Sequence, residues 1–133
     1  MDSLLDTARF GPSHLKRRDI ALIVRGSIQH CAAAGFDPHS WVIMPNHVHL
    51  LFTPHSDVSQ ILRRLKGYTA RQANQLLRST GQPSWQDESY ERLVRSREEF
   101  RRIESYILTN PVKAGLAASV GEFPWSSAAA SQD

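Results

Sequence analysis

The stretch SWVIMPNHVHLLFT, Ser40–Thr53, holds two apolar runs, Ser40–Met44 and His47–Thr53, parted only by Pro45 and Asn46. Runs this short, this close and separated by turn residues form a β-hairpin. Successive side chains of a strand point to opposite faces. Val48, Leu50 and Phe52 therefore belong to one layer, and the imidazoles of His47 and His49 project together from the other. Two imidazoles at i and i+2 can clamp one divalent ion. The same spacing also fits an ordinary half-buried strand.

Outward from the hairpin, helical and extended patterns alternate. Before it, Ile20, Ile23, Val24, Ile28 and Cys31 recur at helical spacing across Asp19–Ala34, and Gly35 follows. After it, Asp57 is placed to cap a helix carrying Val58, Ile61, Leu62 and Leu65. Gly67 weakens that helix, which continues to about Leu77, before a loop at Gly81 and Pro83. Tyr90–Val94 suits a third strand. The capping box Ser96-Arg97-Glu98-Glu99 opens a last helix with Phe100, Ile103 and Ile107 inward, expected to stop near Asn110 because Pro111 follows. The order predicts an α+β domain with helices packed on an antiparallel sheet.

Length and composition agree with that picture. The chain has 133 residues, enough for one core and one domain. Apolar residues make up 41% and charged residues 22%, which excludes a disordered or collagen-like chain. The single cysteine, Cys31, excludes a disulfide framework and a four-cysteine zinc site, and its place on the apolar stripe of the first helix disfavours a thiol enzyme. No apolar run approaches the ~20 residues that cross a bilayer. The opening residues lack a secretory apolar segment, so a cytoplasmic location and no membrane partner are expected.

The net charge of +3 hides an asymmetry. Between Val58 and Glu88 the first acid is Asp87, whereas Arg63, Arg64, Lys66, Arg71 and Arg78 all fall inside. Three of the 16 basic residues are lysine (Lys16, Lys66, Lys113) and the other 13 arginine, whose forked guanidinium matches phosphate oxygens. Such a block suits a polyanion such as nucleic acid. It is equally compatible with a solvated helix face.

Tyr106 and Asn110, four apart, share one helical face on the flank of the buried stripe. Tyrosine offers a phenolic nucleophile and asparagine a hard carbonyl ligand. Read separately, they are also a packed aromatic and a helix-ending residue before proline. Read with His47 and His49, they fit one reaction class. A divalent ion on the two imidazoles and the amide would polarise a phosphodiester, and the phenol would attack in line to give a 5′-phosphotyrosine. A phenol, with pKa near ~10, leaves far more readily than an alcohol, so the freed 3′-OH could reverse the step without ATP. A nucleotide hydrolase with a third strand histidine is disfavoured, because position 51 is Leu51.

Four blocks resemble one known family. Trp41–Leu51 resembles the HUH block of the REP-associated tyrosine transposases, relatives of the single-tyrosine IS200-like transposases. Ser84-Trp85-Gln86 with Tyr90 and Arg95, then Tyr106–Leu116, then Phe123–Ser127, resemble the following blocks in order. The resemblance implies a ferredoxin-like sheet and cleavage and joining of single-stranded DNA beside hairpins. It implies His47, His49 and Asn110 as ligands of Mg²⁺ or Mn²⁺, and Tyr106 as nucleophile. DNA would run along Arg63, Arg64, Lys66, Arg71, Arg95 and Lys113, with the protein acting as monomer or homodimer. The alternative is a sequence-specific DNA-binding relative without catalysis. One departure concerns the start: such domains open with a central strand, and Met1–Ala8 has no period-2 apolar run. The expectation is therefore a single domain, 1–133, truncated at its N-terminus, without its first strand and with a gap beside Tyr90–Val94.

Overall fold

A computed structural model of the chain describes residues 3–10, 18–77 and 85–129. In order these form β1 (Ser3–Phe10), α1 (Arg18–Gly35), β2 (Phe36–Ile43), β3 (His47–Pro54), α2 (Val58–Leu77), β4 (Trp85–Val94) and α3 (Arg97–Lys113). The sheet runs β2-β3-β1-β4 with every pair antiparallel. This is the ferredoxin-like α+β arrangement expected from the sequence.

The expected missing strand is present, and this corrects the sequence reading. Ser3–Phe10 lies between β3 and β4 and pairs with both, from Leu4 opposite Phe52 to Arg9 opposite His47 on one side, and from Ser3 opposite Val94 on the other. No gap opens beside β4, which extends back to Trp85 because β1 gives it a partner. The sequence carries no alternation over this strand because both its faces are covered, which erases that pattern. Leu4 and Ala8 are buried towards one layer, while Leu5 packs into the other. Ser3 and Thr7 are bonded across the sheet, the Ser3 hydroxyl meeting Thr53 Oγ1 at 3.0 Å.

The sheet separates two apolar layers. On one face Ile20, Val24 and Ile28 of α1 and Ile61, Leu62 and Leu65 of α2 pack on Leu4, Ile43, Val48, Leu50 and Phe52. On the other, Ile103 and Ile107 of α3 meet Val42, Met44, Leu51, Val94 and Phe123. Each large side chain fully buried here contributes roughly 1.5–3 kcal/mol. Cys31 is buried in the first layer, and desolvation pushes its thiol up, as suits a small hydrophobe. The Asp57 cap forms, with Asp57 Oδ1 accepting from the Ser59 N–H at 2.8 Å, and Gly67 does not break α2. The loop read at Gly81 and Pro83 lies outside the described residues, as does Arg78.

Two ends differ from expectation. β2 starts at Phe36, directly after α1, and tolerates Pro38 because it is an edge strand with an irregularity between Pro38 and Ser40. Helix α3 passes through Pro111 to Lys113. It ends instead at Gly115, whose φ of 77° only glycine adopts without strain. The Leu116 N–H donates to the Pro111 carbonyl at 2.8 Å and the Gly115 N–H to Val112 at 3.0 Å, a Schellman closure. Asn110 is thus an interior helical residue, not the terminator. Beyond a 3₁₀ turn at Val120–Glu122, Trp125–Ser127 pairs with the outer edge of β2 and shields it from intermolecular pairing.

Asp6 faces the α1/α2 layer and is 4% exposed, with Oδ1 lacking a hydrogen-bond partner. It shares a cavity of about 20 Å³ with Lys66 and Thr69. Burial raises its carboxyl to about 6; the Lys66 charge opposes the rise and Glu91 adds to it. Between 3.8 and about 6 the folded state holds a proton that the unfolded chain has lost. The contribution of Asp6 to stability therefore falls as pH rises through that window and is least favourable above it. Asp6→Asn is expected to stabilise the protein at neutral pH by about 1–3 kcal/mol. The gain should vanish under acidic conditions. Urea unfolding at both pH values checks this, and a loss of stability at neutral pH would contradict it.

Candidate active site

Strand alternation in β3 sends Val48, Leu50 and Phe52 into the α1/α2 layer and leaves His47, His49 and Leu51 facing α3. The two imidazoles lie with centroids 4.8 Å apart at 81°. His47 is held from the turn, its Nδ1 2.7 Å from Asn46 Oδ1. An amide oxygen only accepts, so Nδ1 carries the proton and Nε2 the lone pair. His49 is held from the central strand. It sits directly opposite Thr7, and its Nδ1 lies 3.0 Å from Thr7 Oγ1.

His49 is 5% exposed, and its Nε2 is buried without a hydrogen-bond partner. Desolvation, reinforced by His47, lowers its pKa to about 4. At neutral pH it is therefore a neutral imidazole. When Nδ1–H donates to Thr7, the lone pair is at Nε2.

Helix α3 brings the phenol. Tyr106 follows Ile103 and precedes Ile107, both buried, so it stands on the flank of the apolar stripe and is 51% exposed. Its ring meets that of His49 with centroids 5.6 Å apart at 75°. Asn110 is half-buried one turn further along the same face, and among the described residues its side-chain amide makes no hydrogen bond. The structure thus gathers His47, His49 and Tyr106, with Asn110 next along the helix.

Among the described residues no three His, Cys, Asp or Glu side chains cluster as a metal site. The two imidazoles come together, and the Asn110 amide follows on the helical face that carries Tyr106. These residues fit a divalent ion. A buried nitrogen left without a partner costs about 1–3 kcal/mol, which a ligand on the His49 lone pair would recover.

The basic residues fall into separate places. Arg63, Arg64 and Arg71 are exposed on α2, in the layer across the sheet from Tyr106. Lys66 is half-buried beside Asp6. Arg95 is exposed after β4, its backbone N–H bonded to Glu99 Oε1 at 2.9 Å, and Lys113 is exposed in the last turn of α3. Tyr68 stacks on His30 with centroids 4.6 Å apart, a packing role within the helical layer. Trp125 packs against both cores beneath Arg25. The side chains of Trp85 and Tyr90 lie outside the described residues. Sequence reasoning missed Thr7, because its strand went unread. Asn46, beyond its place in the turn, is the acceptor beside His47, a signal that lies in its position next to that residue.

Comparison with known proteins places the chain in a family. The family described as transposase IS200 like matches residues 18–110, and the chain belongs to that family. Within it, the chain is 30% identical over 95 residues to the REP-associated tyrosine transposase of Escherichia coli (strain K12). That match covers 68% of this chain and 53% of the relative, so the chain spans about half the length of the curated relative. The solved structure of a REP-associated tyrosine transposase bound to a REP hairpin has the same fold, with a TM-score of 0.78 and 22% identity. The superposition covers 94% of this chain and 75% of that one. Among the described residues no helix is long and apolar enough to cross a membrane.

The depressed pKa of His49 has a testable sign. Between about 4 and 6.5 the folded state holds fewer protons than the unfolded chain. Its contribution to stability is therefore complete above 6.5 and lost as pH falls towards 4. In metal-free protein the His49 Hε1 resonance is expected to titrate near 4. Titration near the ordinary value of 6.5 would show that the ring is not buried as described. Thr7→Val, which removes only the hydroxyl bond, should cost about 1 kcal/mol in the same protein.

Proposed function

We propose that this protein cuts and rejoins single-stranded DNA beside hairpins, with Tyr106 as nucleophile. The observation that carries the reading is the contact of the Tyr106 ring with His49, whose buried Nε2 has no partner. A phenol placed against a buried neutral imidazole whose Nε2 has no partner suits attack on a phosphodiester.

His47, His49 and the Asn110 amide oxygen would hold Mg²⁺ or Mn²⁺, which when bound supplies Lewis-acid polarisation of the phosphate. Tyr106 Oη attacks phosphorus in line. The new Oη–P bond forms as the P–O3′ bond breaks, and the phenolic proton is balanced by protonation of the departing 3′-oxygen. The product is a 5′-phosphotyrosine and a free 3′-OH. Because a phenol is a good leaving group, a 3′-OH can attack the adduct, restore the phosphodiester and return the phenol, and no nucleotide cofactor is consumed. Asn46 accepts from the His47 Nδ1–H and so leaves the lone pair on Nε2, while Thr7 holds the orientation of the His49 ring.

Hairpin DNA is the substrate class by extension from the relative solved with a REP hairpin. Arg95, just before α3, and Lys113, in its last turn, stand exposed at the two ends of the helix that carries Tyr106 and suit phosphate contacts along the strand. Arg63, Arg64 and Arg71, across the sheet, suit long-range attraction of the strand or contact with DNA that wraps around the domain. Lys66 serves Asp6 instead.

Incubating the protein with single-stranded DNA bearing a hairpin and Mn²⁺ is expected to yield a denaturation-resistant protein–DNA adduct. Tyr106→Phe should abolish the adduct and leave hairpin binding unchanged, since the lost hydroxyl is exposed and the ring remains. Equal adduct from wild type and Tyr106→Phe would remove Tyr106 from the chemistry. Binding without adduct in either protein would favour a non-catalytic DNA-binding role.

A further inference from the structure

On the side of Tyr106 facing β4, a pocket of about 300 Å³ is lined by Leu5, Arg92, Glu99, Arg102, Ile103 and Tyr106. Nothing in the chemistry above uses it. Arg102 stands four residues before Tyr106, one turn along the same helical face. Arg92 reaches in from β4 and is held by Glu99. The Glu99 carboxylate is fully engaged, since it also accepts the Arg95 backbone N–H at 2.9 Å, and these bonds hold its pKa below the usual carboxylate range. Arg102 acts on Glu99 through space but forms no ion pair with a described residue.

The charge balance of the lining is two guanidiniums against one carboxylate, one net positive charge. That matches one phosphodiester. The floor, Leu5 and Ile103, is apolar, and guanidinium planes accept a stacked base. The size falls at the lower end of sites for small ligands, roughly 300–1,000 Å³. Resting on the nuclease reading above, we propose that this pocket holds the nucleotide adjoining the phosphate that Tyr106 attacks. Arg102 binds its phosphate, and Leu5 and Ile103 meet its sugar or base. Glu99 positions Arg92 and cancels its charge, so that the pocket prefers a single phosphate to a cluster. A base inside a duplex cannot reach such a pocket without leaving its stack, so the site selects single-stranded DNA.

The probe is the dinucleotide TpT, one phosphodiester between two thymidines, titrated into the full chain with Mg²⁺ and followed by NMR. Saturable shifts are expected at the Leu5 and Ile103 methyls and at the Arg92 and Arg102 Nε–H signals, with Arg63, Arg64 and Arg71 unmoved. Thymidine, which lacks the phosphate, should bind more weakly. Arg102→Ala is exposed and retains a good helix former, so it should fold and weaken TpT about tenfold, the loss of one charge-assisted hydrogen bond. Shifts confined to α2, absence of saturable shifts in the pocket, or unchanged affinity in Arg102→Ala would overturn the proposal. If TpT seats here while longer strands give no adduct, the nuclease reading fails and the pocket stands. If adduct forms and TpT leaves the pocket signals unmoved, the pocket fails and the nuclease reading stands.

Discussion

Pairing of β1 with β3 is the constraint on which the site depends. Placing Thr7 opposite His49 fixes the register of the sheet, because a slip of one residue would send both imidazoles into the α1/α2 core and Val48 and Leu50 to the other face. The same pairing supplies the hydroxyl that holds the His49 ring. It also seats Leu5 beside α3, where it helps form the floor of the pocket next to Tyr106. One strand thus aligns the core, orients a candidate ligand and shapes the space beside Tyr106.

The two layers divide the work. The α1/α2 face is the larger apolar core, and it carries the exposed arginines of α2 on its outer surface. The α3 face has a smaller core around Ile103 and Ile107, beside which His47, His49 and Tyr106 come together. Burial keeps His49 neutral, and half-exposure keeps the phenol accessible to a polymer substrate. Asp6 is the polar exception in the larger core, a buried acid next to Lys66 whose ionisation costs stability.

Much of this could be read from the residues. Alternation in His47–Thr53 put both imidazoles on one face, and helical spacing put Tyr106 and Asn110 together. Local periodicity is strong where one face is buried and the other is not. β1 gave no such signal, because a central strand covered on both sides need not alternate and this one carries Ser3, Asp6 and Thr7 among its apolar residues. The end of α3 was misplaced because proline usually stops a helix, whereas here the glycine at 115 closes it and leaves Asn110 within the helix. The run of arginines marks α2 as basic but does not tell which side of the sheet it covers, since charge density carries no information about layer. Arg92 and Arg102, ten residues apart on different elements, meet beside Tyr106 only through the fold.

The most direct measurement is a crystal structure of the full chain grown with Mn²⁺, read from its anomalous signal. A single manganese peak is expected bound to Nε2 of both His47 and His49, with the Asn110 amide oxygen as a further ligand and the Tyr106 hydroxyl facing the same ion. A peak elsewhere with the imidazole pair empty, or a phenol turned away from the pair with no bound ion between them, would contradict a shared site for metal and nucleophile.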